Sequence, residues 1–346
     1  MSDQEKEVTI YDIANKLNIS AATVSRGLKD HPGINKNTKK KILAAAAEMG
    51  YRSNSFASNL RKKSSNIIGV IVPRLNSSFM SDVIAGIEKV VNEANYNLFI
   101  SQSLESMKKE ASNAKAMFNN RVDGLLVSLA YDTNDIAHFE SFINRDIPLI
   151  FFDRIYEHKK CPSIYINNYQ AAYDITAHLI DQGCKRIAHI SGNQLRNVYS
   201  ERTRGYLQAL KDHNVPFDDE LLIINDLSAR AGTEAANQLL NLPEKPDGVF
   251  VANDICAINC MQAMKKEGIN VPGDIAFAGF NNDPTSCVIE PNLTTIDYKG
   301  YEMGETAARI MINHLVNNDD LQKTHSLILR SELIIRESSL KRGIKT

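Results

Sequence analysis

The chain has 346 residues, 43% of them hydrophobic and 23% charged, which is the composition of a globular protein long enough for two or three domains. Its net charge of -1 conceals an asymmetry: residues 1–64 carry 12 Lys/Arg against 6 Asp/Glu, and the remainder carries 28 against 35. A basic head on an acidic body fits a head that neutralises phosphates. The start MSDQEKEV lacks the apolar run of a secretory signal, and no stretch approaches the roughly 18 apolar residues of a membrane helix, so a cytoplasmic location without membrane contact is expected. Five cysteines, odd in number and without C-x-x-C spacing, read as reduced thiols, and no metal site is expected.

Residues 8–29 read as two short helices joined by a tight turn. Thr9 caps the first, with Asp12 three residues on to reach back in a capping-box arrangement. Ile10, Ile13, Ala14 and Leu17 form one apolar face, Asn18 suits a left-handed turn, and Ser20 caps the second helix. Val24 and Leu28 point inward there, leaving Ala21, Ala22, Ser25, Arg26 and Lys29 outside. Small residues, hydroxyls and a base on one helix face suit the DNA major groove, where Arg can bond guanine bidentately. The spacing by itself is equally that of an ordinary helical hairpin.

The run T-I-Y-D-I-A followed by S-A-A-T-V-S-R resembles the helix-turn-helix head of the lactose-repressor (LacI/GalR-type) family of bacterial transcription regulators. The resemblance assigns Thr9, Tyr11, Ser20, Ala21, Ala22, Thr23, Ser25, Arg26, Lys29 and Thr38 to the DNA-binding surface. A third helix follows, capped by Asn35 or Asn37, with Ile42, Leu43, Ala46 and Met49 inward and a lysine-rich start suited to phosphates. The headpiece is expected to span residues 1–52. The polar stretch 53–64 has the composition of a linker, but the resemblance makes it a hinge helix with Asn54 at its cap and Ala57 and Leu60 at its tip. In the family two such helices press a Leu into the minor groove, where an apolar wedge unstacks a base step. A helix so short is expected to order only on DNA.

From Asn66 the pattern alternates apolar strand and helix, which argues for parallel sheets covered on both faces. The alternation fits two lobes and also a (β/α)8 barrel. The resemblance decides: RVDGLLVS (121–128), VFVAND (249–254), DIAFAGF (274–280) and PNLTTI (291–296) match family landmarks in order. They imply an α/β two-lobed periplasmic-binding-protein-like core, parallel sheets flanked by helices, behind the all-α headpiece. That core is expected over 65–340, with lobe 1 at about 65–162 and 294–325 and lobe 2 at about 163–293 and 326–340. The chain would then cross between lobes near residues 162, 293 and 325, with strand 326–336 in the second lobe.

Ligands of parallel sheets bind beyond the carboxyl ends of strands, which nominates Asn76, Phe79, Gln102, Asp153, Arg154, Asp254 and Asn281. Amides, carboxylates and Arg beside aromatics suit a polyol. At Asp254, which opens a helix, capping is a rival role. The resemblance adds Met80 on the first-loop wall and Arg196 and Arg202 as effector contacts, and supports Asp254 in that role. It also shows departures: the family's G-[FY]-D-D/N is here Gly279-Phe280-Asn281-Asn282, and Leu227 replaces an aromatic found in purine-binding relatives. These favour a sugar or sugar phosphate. No phosphate-cradling or catalytic signature occurs, and His189 within a strand reads as a core histidine. The chain therefore reads as a homodimeric, ligand-controlled regulator of a pseudo-palindromic double-stranded DNA operator, without cofactor and not an enzyme. A periplasmic solute-binding protein, disfavoured by the basic head, and an α/β enzyme are the alternatives.

Overall fold

A computed structural model describes residues 8–51, 64–321 and 326–341. The chain divides into two compact units, residues 1–65 and 66–346. Asn54, Ala57 and Leu60, expected in a hinge helix, lie outside the described residues.

In the first unit, α1 (Ile10–Leu17), α2 (Ala21–Leu28) and α3 (Lys36–Glu48) enclose a small core of Ile13, Ala14, Val24, Ile42, Ala45 and Ala46. The Asp12 carboxylate accepts both the N–H and the hydroxyl of Thr9, at 2.7 and 2.6 Å. Asn18 takes φ 53°, and the Ser20 hydroxyl accepts the N–H of Thr23 at 3.1 Å. Asn35, not Asn37, caps α3 by accepting two backbone N–H groups. Leu43, expected inside, is half exposed, and Ala45 takes the inward place instead. Gly27 lies under Ile42, and its lack of a Cβ leaves the third helix room to close on the second.

The second unit contains two parallel sheets. The first is ordered β11-β5-β4-β3-β1-β2, from β1 (Ile67–Val72), β2 (Asn97–Gln102), β3 (Gly124–Val127), β4 (Leu149–Phe152), β5 (Ser163–Ile166) and β11 (Ser326–Leu329). The second is ordered β7-β6-β8-β9, from β6 (Ile187–Ser191), β7 (Leu222–Ile224), β8 (Gly248–Val251) and β9 (Ala276–Ala278). The antiparallel pair β10 (Thr295–Asp297) and β12 (Glu332–Ile334) continues from the end of β9, through bridges of Thr294 to Ala278 and of Asp297 to Asn281. The helices are α4 (Ser78–Glu93), α5 (Met107–Asn119), α6 (Glu140–Ile143), α7 (Asn168–Asp181), α8 (Asn197–Asp212), α9 (Ala229–Leu240), α10 (Asp254–Lys266) and α11 (Gly300–Asn317). Strands β3, β4 and β8 are buried throughout, as sheets covered on both faces require.

The lobe boundaries need correction. Strand β5, expected in lobe 2, pairs with β4 through Phe151–Ser163 and Phe152–Ile164 and belongs to the first sheet. The expected strand 326–336 is two strands: β11 pairs with β5 in the first sheet, and only β12 lies with β10 beside the second. The crossings therefore fall after Ile166, near Tyr298 and at Arg330–Ser331, because each connecting strand keeps its ladder partners to its last residue before the chain leaves the sheet.

Helices α4 and α11 cover the first sheet and approach backbone to backbone. A Cβ on Gly304 would fall inside the carbonyl oxygen of Val83, and one on Gly86 inside that of Tyr301. Gly304→Val should therefore force the pair apart and cost about 2–3 kcal/mol, as overpacked cores do. Urea denaturation checks this, and a loss below about 0.5 kcal/mol, the level of a surface substitution, would show that the helices can separate freely.

Candidate functional site

On the head, α2 exposes Ala22, Arg26 and Lys29, and Ser20 and Tyr11 are exposed beside it. Thr23 and Ser25 are half-buried, with the Thr23 hydroxyl 2.8 Å from that of Ser20. Thr9 is occupied by the capping interaction with Asp12, Ala21 packs partly into the core, and Thr38 sits under the Asn35 cap. Lys36, Lys40 and Lys41 are exposed at the start of α3, where cations can meet phosphates; Lys39 instead pairs with Asp30.

Between the two sheets of the second unit lies a cavity of 460 Å³. Asn76, Phe79, Met80, Asp153, Arg154, Arg202 and Asn281 line it: five are residues the strand-end rule nominated, and Met80 and Arg202 are those the resemblance added. Asp153 follows β4 with φ 59° and is almost fully buried. Its carboxylate accepts the hydroxyls of Tyr298 and of Ser128 (3.2 Å), and burial, opposed by Arg154 and by these bonds, pushes its pKa up. Tyr298 stacks on Phe79 with ring centroids 4.3 Å apart. Arg202 donates to Asn168 (2.9 Å) and to the Ala252 carbonyl (2.7 Å), and its guanidinium lies 3.5 Å over the Phe280 ring; burial draws its pKa down. Arg154 donates to Glu105 at 2.7 Å and to the Tyr199 hydroxyl at 3.0 Å.

Three expected residues are not on the wall. Gln102 accepts the N–H of Leu75 at 3.2 Å and holds the loop between β1 and α4. Arg196 crosses from the second lobe to the Thr133 carbonyl in the first and is buried there, because its loop meets the end of β3 before it reaches the cavity. Asp254 is fully buried beneath the floor, where its carboxylate accepts the Thr295 hydroxyl (2.7 Å) and the Asp283 N–H (2.8 Å). Nor does it cap α10; Asn253 does.

The wall also carries Glu105, Tyr131, Tyr199, Asp226, Asn253 and Tyr298, which the sequence reading missed. Tyr199 lies in the first turn of α8, and Glu105 lies three residues past β2. A wider window beyond each strand end would have found Glu105, but nothing in the sequence marks Tyr131. The Tyr131 hydroxyl accepts the Asn193 N–H and donates to the Asn225 carbonyl, both at 2.6 Å, so a first-lobe residue is tied to two second-lobe loops. Asn197 ties the lobes likewise, accepting the Ile155 N–H and donating to the Asp153 carbonyl. His189 is a core residue: its ring stacks on Phe250 at 4.4 Å, and burial lowers its pKa to about 3. Cys256 and Cys260 are buried thiols, and no group among the described residues could hold a metal ion.

Comparison with known proteins follows the same division. Residues 9–54 match the model for bacterial regulatory proteins of the lacI family, and residues 176–339 match that for a periplasmic binding protein-like domain. Catabolite control protein A of Priestia megaterium is 31% identical over 93% of this chain and 98% of its own length. The chain belongs to the LacI family. It is a transcription regulator with a DNA-binding head, and the family is not one of enzymes. The HTH-type transcriptional repressor CytR of Escherichia coli K12 is also 31% identical, over 97% of both chains. The lac repressor dimer bound to operator and the anti-inducer ONPF superposes with a TM-score of 0.83 at 25% identity, over 97% of this chain and all of that one. The expected two-lobed core behind a helix-turn-helix head is thus the fold of this LacI-family chain.

Two acids, Asp254 beneath the cavity and Asp283 in its wall, make the stability of the core depend on pH. Burial, with the neighbouring Asp283, raises Asp254 to about 7, and burial with Asp82 raises Asp283 to about 6. Each holds its proton more tightly folded than unfolded, so stability falls as pH rises from the ordinary carboxylate value of 3.8 through about 7, and is level above that. The core should melt several degrees lower at about pH 8 than at about pH 5, and Asp283→Asn should shallow that slope. Thermal melts across the range check this; stability rising from acid to neutral pH would contradict it.

Proposed function

We propose that this regulator binds a pseudo-palindromic operator as a homodimer in the cytoplasm and is controlled by a small polar ligand, a sugar or sugar phosphate, held in the interlobe cavity. The observation that carries this reading is the cavity itself: its wall draws on both lobes, and its amides, carboxylates, arginines and aromatic rings match the hydroxyls and C–H faces of a polyol. Among its relatives, a transcriptional regulator CelR was solved in complex with cellobiose, at 22% identity and a TM-score of 0.73.

In this reading Asn76, Phe79, Met80, Asp153, Arg154, Arg202 and Asn281 contact ligand, whereas Gln102, Arg196 and Asp254 position the walls that do. Ala22, Ser25 and Arg26 read bases, Lys29 and the α3 lysines take phosphates, and the Asn54–Leu60 segment supplies the minor-groove contact. Two-fold symmetry of the dimer is matched by symmetry of the operator. Ligand that favours one lobe arrangement shifts operator affinity, a coupling of about 1–3 kcal/mol in typical allosteric proteins.

Fluorescence anisotropy of operator fragments at fixed salt, with a panel of sugars and sugar phosphates, tests the scheme. Arg202→Ala and Asp153→Asn should abolish the ligand response and leave operator binding intact; a normal response in both would remove the cavity from the mechanism. Arg26→Ala should weaken specific binding by about 1–3 kcal/mol and relax base choice at one position. Equal weakening on every DNA sequence would mean that Arg26 contacts phosphate alone.

A further inference from the structure

Three arginines and four carboxylates line the cavity: Arg74, Arg154 and Arg202 against Glu105, Asp153, Asp226 and Asp283. Two of the arginines are engaged, and the third, Arg74, is more than half exposed and only loosely held. Arg202 is committed to Asn168, the Ala252 carbonyl and the face of Phe280. The other two share Glu105: its Oε2 accepts Arg154 at 2.7 Å, and its Oε1 lies 3.6 Å from Nε of Arg74. Glu105 and Arg154 are both largely buried, so their pairing is poorly screened by water.

The backbone is shaped to put that carboxylate there. Leu104 and Glu105 follow β2 with φ of 50° and 63°, two successive non-glycine residues in the left-handed region, and Leu104 itself is half exposed. Such conformations persist where surrounding structure imposes them, and they concentrate at ligand clamps. The turn leaves the apolar Leu104 in solvent while Glu105 faces two cations across the cavity wall.

We propose that Glu105 makes the cleft select against phosphorylated ligands, by neutralising Arg74 and Arg154, and that the ligand is an uncharged polyhydroxy compound. The inference rests on the reading of the cavity as the ligand site. A phosphate dianion entering here would have to displace Glu105 from Arg154 and lie beside Asp153 and Asp226, which is repulsive at each step. An uncharged polyol brings O–H donors for those same carboxylates and disturbs no ion pair.

The test uses the full-length protein and inorganic phosphate as the probe. Melting temperatures are compared in sodium phosphate and in sodium chloride of equal ionic strength, for wild type, Glu105→Gln and Glu105→Asn, each also with Arg154→Ala. Asn is included because it tolerates the left-handed conformation; native circular dichroism establishes that each variant folds. The wild type should show no phosphate-specific shift, and both Glu105 variants should gain one that Arg154→Ala removes. A wild-type shift that Arg154→Ala removes would overturn the exclusion while leaving the cavity a ligand site. Folded Glu105 variants that gain no shift would overturn it too. Failure of the cavity reading shows separately, as an operator response untouched by Arg202→Ala and Asp153→Asn.

Discussion

The buried carboxylate of Asp153 is where the two lobes, the crossing segment and the cavity meet. Asp153 follows β4; its carboxylate accepts hydroxyls from Ser128 just past β3 and from Tyr298 just past β10, and its backbone carbonyl accepts Asn197 from the second lobe. A buried carboxylate is costly unless its oxygens are bonded, so these partners must keep their places for the group to stay inside. Tyr298 in turn stacks on Phe79, and Arg202 lies across Phe280 beside it. The cavity wall is thus set by packing on both lobes, and movement of either lobe disturbs the same few bonds.

Those bonds form one edge of a cleft. Tyr131, Arg154 and Arg196, with Asn197, join the lobes at the ends of β3 and β4 and the start of α8, while the crossing strands join them at the ends of β5, β10 and β11. A ligand that adds partners to both walls strengthens one arrangement over others, and only such a difference in affinity between arrangements can be transmitted elsewhere. The Arg196 side chain illustrates the limits of that edge. It reaches the Thr133 carbonyl, yet its Nε is buried without a partner among the described residues. An imperfectly satisfied interlobe contact is easier to exchange for another than a complete one.

Much of this was legible in the sequence where local chemistry decides structure. Thr9 with Asp12 and Ser20 fix the starts of the first two helices through their side chains, and Asn18 ends the first in a left-handed conformation, all as expected. Strand-end residues such as Asp153 and Asn281 reached the cavity because parallel sheets open there. What failed depended on distant partners. Strand β5 looked like the first strand of a new lobe, but the pairing that places it with β4 has no local signal. Asp254 is buried by Thr295 and Asp283, more than 25 residues away, and Arg196 by the loop after β3. Leu43 sits at helical spacing with Ile42 and Ala46, yet the crossing of α3 over α2 turns Ala45 inward instead.

The claim that cavity and operator are coupled through lobe arrangement is tested most directly by reciprocity. Ligand affinity would be measured by calorimetry on the protein, free and saturated with operator, using a sugar whose binding Arg202→Ala abolishes. Operator should change that affinity by a factor of about 5 to 150, the range of typical allosteric coupling. Affinity for that cavity-bound sugar unaltered by operator would contradict the coupling.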